Sequence, residues 1–408
     1  MRRVVAARAV RQAGRTDANR YRRKIAVGRR MGVIRRRFLS LAAAAAATPF
    51  AFKLARSQVE APSSSRETHF VFPGAQWEAA SLAELGWSIQ RLAEAYQLFA
   101  TLPPASMVVI DRGRIVVAWG DSARRVKLSS IRKSLLNALY GTPVHDGRIN
   151  LDDTLEELEI DDDPPLTQRE KQATLRMLLQ SRSGVYHSYV GGTPDMRERM
   201  PAREAHPPGA FWCYNNWDFN VLGGVYERKL GRKIGEAFWA EIATPIQMQD
   251  FRSDDMYYVK SADNAEAFAR SMYPAYHFRL TARDMARFGY LFLRGGNWNG
   301  TQIIPADWVR QSTTSYSETT GFGEGFGYGY LWWVHGYGLN VDAFSARGAL
   351  GKYIVVIPER GLVVAFVNHT EFPDGPQAAS AAEVKKLPDV PVPAMSKLLT
   401  LLLAAQLP

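Results

Sequence analysis

The stretch Leu128-Ser129-Ser130-Ile131-Arg132-Lys133-Ser134-Leu135-Leu136-Asn137-Ala138-Leu139-Tyr140 constrains the chain more than any other. Apolar residues recur at helical spacing from Ile131 onward, so Ser130 falls at a helix start and Lys133 lies one turn along on the same face. Gly141 and Pro143 are expected to stop that helix. A serine hydroxyl is a poor nucleophile until a base takes its proton. A lysine is such a base where a buried, cation-rich setting keeps its amine neutral. Ser130-x-x-Lys133 therefore puts a nucleophile and its base on one helical turn.

Charge narrows the functional classes. The formal charge of the 408 residues is +11, which on its face points to a polyanion partner. Residues 1–37, however, carry thirteen Arg, Lys24 and only Asp17, a net of +13. The remainder therefore sums to −2, so no nucleic-acid surface is implied. The basic segment runs through Arg35-Arg36-Arg37-Phe38-Leu39 into an alanine-rich apolar run, Ser40 to Phe52, too short to span a bilayer. Charge, apolar run and small residues in that order form an export signal, and Arg35-Arg36-x-Phe38-Leu39 resembles the twin-arginine signal of precursors exported already folded. We expect residues 1–57 to be this signal, with a start at Met31 giving it a more usual length, and residues 58–66 to be a polar linker. The mature protein is expected in the periplasm or medium, with no stable membrane insertion. A single cysteine, Cys213, leaves no intramolecular disulfide.

The body, residues 67–408, reads as α/β of the α+β type: an antiparallel sheet flanked by helices, with an inserted all-helical lobe. Apolar positions from Leu82 to Phe99 predict a helix over 81–101. Met107–Ile110 and Ile115–Trp119 around Asp111-Arg112-Gly113-Arg114 predict a hairpin. Another helix is expected to end at Leu230 before Gly231, and a third to run from Thr281 to Gly295. Residues 326–335, 343–346, 353–357 and 362–367 read as strands, with Pro358-Glu-Arg-Gly361 turning between the last two. The expected α/β lobe is residues 67–125 and 305–408, and the helical lobe 126–304. The acidic run Glu156 to Asp163 lacks the glycine and spacing of a calcium loop and reads as a solvated turn. No metal or other cofactor is expected.

Two further stretches complete a chemical set. Trp212-Cys213-Tyr214-Asn215-Asn216-Trp217 offers a phenol and an amide two residues apart, a proton relay and a polar holding group if they face the serine and lysine. Phe344-Ser345-Ala346-Arg347-Gly348-Ala349-Leu350-Gly351-Lys352 opens a strand with glycines that admit close backbone approach and an N–H that can serve an oxyanion. Aromatics near these motifs, Tyr186, Trp212, Trp217, Trp332 and Trp333, point to a pocket with apolar walls.

In order and spacing, Ser130-x-x-Lys133, Tyr214-x-Asn216 and the Gly348 strand resemble the penicillin-recognising serine hydrolases: serine β-lactamases, related to class C, DD-peptidases, and the related esterases and 6-aminohexanoate-dimer hydrolases. The resemblance covers roughly residues 75–390. It includes Thr174-Leu-Arg-Met-Leu-Leu, Pro208-Gly ahead of Tyr214, Thr281-Ala-Arg-Asp-Met-Ala-Arg-Phe and Gly348-x-x-Gly351-Lys. It implies Ser130 as the acylated nucleophile, Lys133 as its base and Tyr214 as proton relay. Asn216 matches the family's polar position, and the N–H groups of Ser130 and Ala349 would form the oxyanion hole beside Gly348. The third motif departs from the pattern. Relatives carry Lys or His, then Thr or Ser, then Gly, to hold a substrate carboxylate, and this chain has Ala346-Arg347-Gly348. That version is closer to the esterase and aminohexanoate-dimer branch, where a second tyrosine serves amide cleavage, here Tyr186 or Tyr189. The expectation is a carboxylesterase or amide hydrolase acting on a small-molecule ester or amide and favouring neutral short-chain esters.

A β-lactamase or D-alanyl-D-alanine carboxypeptidase is the alternative within the class. Outside it stands a non-catalytic member that binds peptidoglycan fragments or peptides. Intact Ser130, Lys133 and Tyr214 argue against the latter, and a fluorophosphonate probe separates the two. A Ser-His-Asp hydrolase lacks its Gly-x-Ser-x-Gly elbow here, and the histidines are scattered with no His-x-x-x-His pair.

Overall fold

Residues Ala105–Asp111 (β2), Lys352–Ile357 (β13) and Leu362–Asn368 (β14) are buried along their whole length, the pattern of strands covered on both faces. They form the centre of a sheet that, among the described residues, has nine strands. With β1 (Glu78–Ala79), β3 (Arg114–Trp119), β9 (Ser317–Glu318), β10 (Gly327–Tyr328), β11 (Trp333–Val334) and β12 (Phe344–Gly348), its order is β1-β3-β2-β14-β13-β12-β11-β10-β9. All neighbours are antiparallel except β1 and β3. The structure is a computed structural model and describes residues 70–260, 270–319, 325–371 and 385–407, with Gly323 and Glu383. The expected signal and linker lie outside the described residues.

Helices α1 (Ile89–Ala100), α2 (Ile131–His145), α3 (Leu175–Leu179), α4 (Pro194–Glu198), α5 (Asn216–Leu230), α6 (Ile234–Phe238), α7 (Ala282–Leu293), α8 (Ala306–Ser312) and α9 (Val392–Ala405) surround the sheet. Phe99 of α1 meets Phe366 of β14 edge-on, ring centroids 6.2 Å apart. On α7, Gly289 lies so close to the sheet that an added Cβ would stand 2.6 Å from Val363 Cγ1 and 2.7 Å from Ile354 Cγ2. The missing side chain lets α7 seat directly on the strands. Each Val or Ile so enclosed contributes about 1.5–3 kcal/mol over leaving it exposed.

The fold class agrees with the sequence reading, and several local expectations change. The segment between the two halves of the sheet is not helical throughout. It holds a three-stranded sheet of β4 (Val126–Lys127), β6 (Ala275–Leu280) and β5 (Met256–Val259), and α7 packs on the main sheet. The first helix starts only at Ile89, where the Ser88 side chain accepts from the Arg91 N–H; Gly86, at φ 71°, turns the chain ahead of it. Helix α2 runs past Gly141 and Pro143 to His145. Gly141 is there for room, since a Cβ would fall 2.9 Å from Ile304 and Trp308 atoms. Residues 326–335 make a tight hairpin instead of one strand, turning through Leu331 at φ 62°. The Gly231 cap, at φ 63°, stands where expected.

Candidate active site

The site begins where β4 hands over to α2. Val126 pairs with Leu280, and the Leu128 N–H donates to the Phe278 carbonyl at 2.9 Å, so the chain is held extended up to Leu128. Ser129 then reverses it at φ 52°, a conformation uncommon for residues other than glycine and enriched at functional turns. Ser130 follows as the residue before α2, half-buried, with its hydroxyl free to face the next turn.

Lys133 is almost wholly buried. Its Nζ donates to Ser130 Oγ at 2.8 Å and to the Tyr214 phenol oxygen at 2.5 Å, and it lies over the Tyr214 and Phe219 rings at 4.1 and 4.4 Å. Burial first, and the Arg132 charge second, hold the lysine well below its ordinary pKa. Burial also pushes the Tyr214 phenol up to about 12, against the pull of its hydrogen bond with Ser130 and of the Arg132 and Arg347 charges. One environment thus favours a neutral amine, able to accept a proton, beside a neutral phenol, able to give one.

The third motif reaches the nucleophile by backbone. A Cβ on Gly348 would stand 2.3 Å from the Leu128 carbonyl oxygen, so β12 passes against the strand that delivers Ser130 only because residue 348 has no side chain. The turn after it, Ala349-Leu350-Gly351, is held from within by Lys352, whose Nζ donates to the Ala349 carbonyl at 3.2 Å and to the Thr370 carbonyl at 2.8 Å. Burial brings this lysine down to about 8. Neither the Ser130 nor the Ala349 N–H is engaged by a protein acceptor among the described residues.

The other expected residues divide. Asn216 opens α5, with its Oδ1 buried and without a partner, beside Gly192 and Tyr189. The amide that fixes this helix is its neighbour: Asn215 accepts from the Trp217 N–H at 2.9 Å and donates to the Val185 carbonyl at 2.6 Å. Tyr186 stands next to Cys213 and Asp218, its hydroxyl buried and unpartnered. Tyr189 is wholly buried against Gly192. Trp217 does not line the site: one residue into α5 it points into the core, and its indole donates to Asp162 at 2.7 Å. Trp332 is likewise interior, on Phe288 and Phe292 of α7. The aromatic wall around Tyr214 is Trp333 at 5.3 Å, Tyr328 at 6.0 Å and Trp212 at 6.4 Å between ring centroids.

Sequence reasoning passed over Tyr328 and Arg132, and counted Arg347, with Lys352, only as a fallback source of the cation missing at Ala346. Arg347 lies over the Phe326 and Trp333 rings at 4.4 and 4.6 Å, with Nη1 buried and unpartnered. The charge lost at Ala346, a fully buried residue paired with Ile354, is thus present one residue later. Arg132 is buried inside the Ser-x-x-Lys motif itself. No signal for this existed in the sequence, since Arg132 stands beside Lys133, Ser134 and Asn137 as on an ordinary polar face, whereas in the structure every residue from Ile131 to Gly141 is buried.

Comparisons with known proteins show the family and the fold. A family model described as "Beta-lactamase" matches residues 91–387, well over half of the chain. An uncharacterized protein of Alkalihalophilus pseudofirmus is 23% identical over 305 residues, 66% of this chain and 85% of the relative. Among solved structures, one from Bacillus anthracis, whose name proposes a 6-aminohexanoate-dimer hydrolase, superposes with a TM-score of 0.57 at 20% identity, over 83% of this chain and 89% of the other. A penicillin-binding protein homolog from Caulobacter crescentus does so with 0.51 at 16% identity, over 70% and 93%. These structural likenesses show a shared fold.

Proposed function

This chain belongs to the beta-lactamase family, and from that premise we propose that it is a serine hydrolase cleaving small esters or amides through an acyl group on Ser130. The observation that carries the reading is the unbroken contact Ser130–Lys133–Tyr214 at 2.8 and 2.5 Å in a buried setting. Ser130 Oγ attacks the substrate carbonyl carbon while its proton passes to the neutral Lys133 amine. The carbonyl oxygen takes up the electron pair in front of the Ser130 and Ala349 N–H groups. As the carbon–leaving-group bond breaks, Tyr214 gives the leaving group its proton and regains one from Lys133. Water then repeats the attack on the acyl carbon with the roles reversed, freeing the acid and restoring Ser130. The test is a panel of p-nitrophenyl butyrate, nitrocefin, a D-Ala-D-Ala peptide and a linear aminohexanoate dimer, with fluorophosphonate labelling as a substrate-free readout. A protein that neither labels nor turns over any of them is a binder, and the reading fails.

Arg347 favours a second reading of specificity, in which the acyl substrate carries a carboxylate. Its Nη1 has no protein partner among the described residues, and its charge reaches Tyr214. A charge-assisted contact of this type is worth about 1.5–3 kcal/mol, or roughly ten- to a hundredfold in affinity. Arg347→Ala is expected to lower kcat/KM for anionic nitrocefin by about that factor, while p-nitrophenyl butyrate changes by less than about threefold. Equal losses on both would assign Arg347 to packing on Trp333, and neutral short-chain esters would remain the favoured class.

Export through the twin-arginine route completes the proposal, resting on Arg35-Arg36-x-Phe38-Leu39 before the alanine-rich run. Replacing Arg35 and Arg36 with Lys keeps the charge and is expected to strand the precursor in the cytoplasm, read by fractionation and immunoblot. Undiminished export of that variant would exclude the route. Among the described residues no helix is long and apolar enough to cross a membrane.

A further inference from the structure

We propose that Arg132 is a positioning residue for the nucleophile: its guanidinium, buried next to Lys133 in the chain with no acid paired to it among the described residues, keeps the lysine amine in the neutral form that takes the Ser130 proton. The consequence for turnover rests on the hydrolase reading above; the effect on Lys133 does not.

The guanidinium is oriented without being neutralised. Nη2 donates to Asn220 Oδ1 at 2.9 Å, and Cζ sits 4.3 Å above the Tyr276 ring. Nη1 is buried with no acceptor in hydrogen-bond geometry among the described residues, and the Tyr276 phenol that acts on this guanidinium, pushed up to about 12 by burial, is itself neutral. An amide and an aromatic face fix the direction of a charge and leave its sign intact. The titratable and charged groups around it are Lys133 on α2, Tyr214 before α5, and Tyr276 and His277 on β6; Lys127 on β4 and Arg279 on β6 add their charges at His277, and Asn220 on α5 is neutral. No salt bridge to Arg132 occurs among the described residues. An unpaired buried cation costs stability that an apolar residue would not, so folding alone does not account for it. Where two buried cations adjoin, lysine is the one that gives up its proton, because guanidinium holds its own far more tightly. The direction at both neighbours agrees: burial and then nearby cations hold Lys133 and His277 below their ordinary values, Arg132 among those cations in each case.

The sign follows. Removing the Arg132 charge stabilises protonated Lys133, raises its titration midpoint and moves the acid limb of kcat/KM to higher pH. The experiment follows the Cε resonance of Lys133 in protein labelled with ¹³C at lysine, assigned by its absence in Lys133→Met, across pH in the native chain, in Arg132→Gln and in Asn220→Asp. The first variant deletes the charge. The second neutralises it in place without opening a cavity, so the proposal is decided even where Arg132→Gln does not fold. In both, the Lys133 midpoint is expected to rise by about one pH unit or more, with roughly a tenfold loss of p-nitrophenyl butyrate turnover below the midpoint and little change on the alkaline plateau. A midpoint unmoved in the variants that fold, or a rate loss equal at every pH, overturns the proposal and leaves Arg132 a packing residue. The titration needs no substrate, so an inactive protein would refute the hydrolase reading while the role of Arg132 is still decided.

Discussion

Ser130→Ala is expected to abolish both turnover and fluorophosphonate labelling, a loss of about 10⁴-fold or more in kcat, while the melting temperature stays within a few degrees of the native value. The two halves of that expectation have separate causes. The hydroxyl is the atom that would bond to the acyl carbon, and no neighbour can replace it. Ser129 Oγ is buried behind the reversal that exposes Ser130. Ser134 Oγ is occupied, donating to the Leu331 carbonyl at 2.7 Å. Stability, by contrast, loses only the contacts of one half-buried hydroxyl with Lys133 and Tyr214, and Lys133 keeps its contact with Tyr214. Such a change costs about 1 kcal/mol, a few degrees in a domain of this size. Labelling that persists on Ser129 or Ser134 in the variant, identified by peptide mass, would move the nucleophile and sink the assignment.

Gly348→Val is expected to be nearly as damaging by a different route, with kcat/KM falling about a hundredfold or more and the melting temperature falling with it. A Cβ at residue 348 meets the Leu128 carbonyl oxygen at 2.3 Å, and both sides of that contact are backbone. Leu128 is tied to Phe278, and Gly348 to Lys352 across the hairpin. Relief therefore requires moving either the strand that delivers Ser130 or the turn that carries Ala349, and a shift of ångström size separates the nucleophile from the N–H groups facing it. Gly74→Ala is the control, since a Cβ there meets nothing within 4 Å. Native activity in Gly348→Val would show that β12 is not fixed against the nucleophile turn and that its glycine serves only the strand.

What could be read without coordinates was local. The Ser130–Lys133 pair is a matter of one helical turn. Gly231 ends α5 because its left-handed φ is encoded at one position, and Pro358-Glu-Arg-Gly361 turns β13 into β14 within a few residues. Hydrophobic runs also announced the central strands, since burial on both faces leaves no alternation to read. These elements and their chemistry follow from periodicity, caps and turns that a chain specifies with near neighbours.

Which side chain faces which was decided elsewhere. Trp217 and Trp333 are both aromatics that the sequence reading set in the pocket wall, yet one is anchored on Asp162 in the core and the other packs beside Tyr214. Residues 326–335 are rich in aromatic strand formers, but fold into a hairpin that packs Trp332 on α7 and Trp333 beside Tyr214. Pro143 sits inside a helix that neighbours hold together, and Arg347, one residue after the buried Ala346, lies over Trp333. A side chain's direction depends on many small packing contacts between segments far apart in sequence, each worth about 0.1–0.2 kcal/mol per atom pair, and no single residue announces their sum. Sequence determined that a serine and a lysine share a helical turn. Only the tertiary structure, by enclosing that turn with Arg132, Tyr214 and the Gly348 strand, decided that the lysine is held below its ordinary pKa, because burial and neighbouring charge set a pKa and both are properties of the assembled fold.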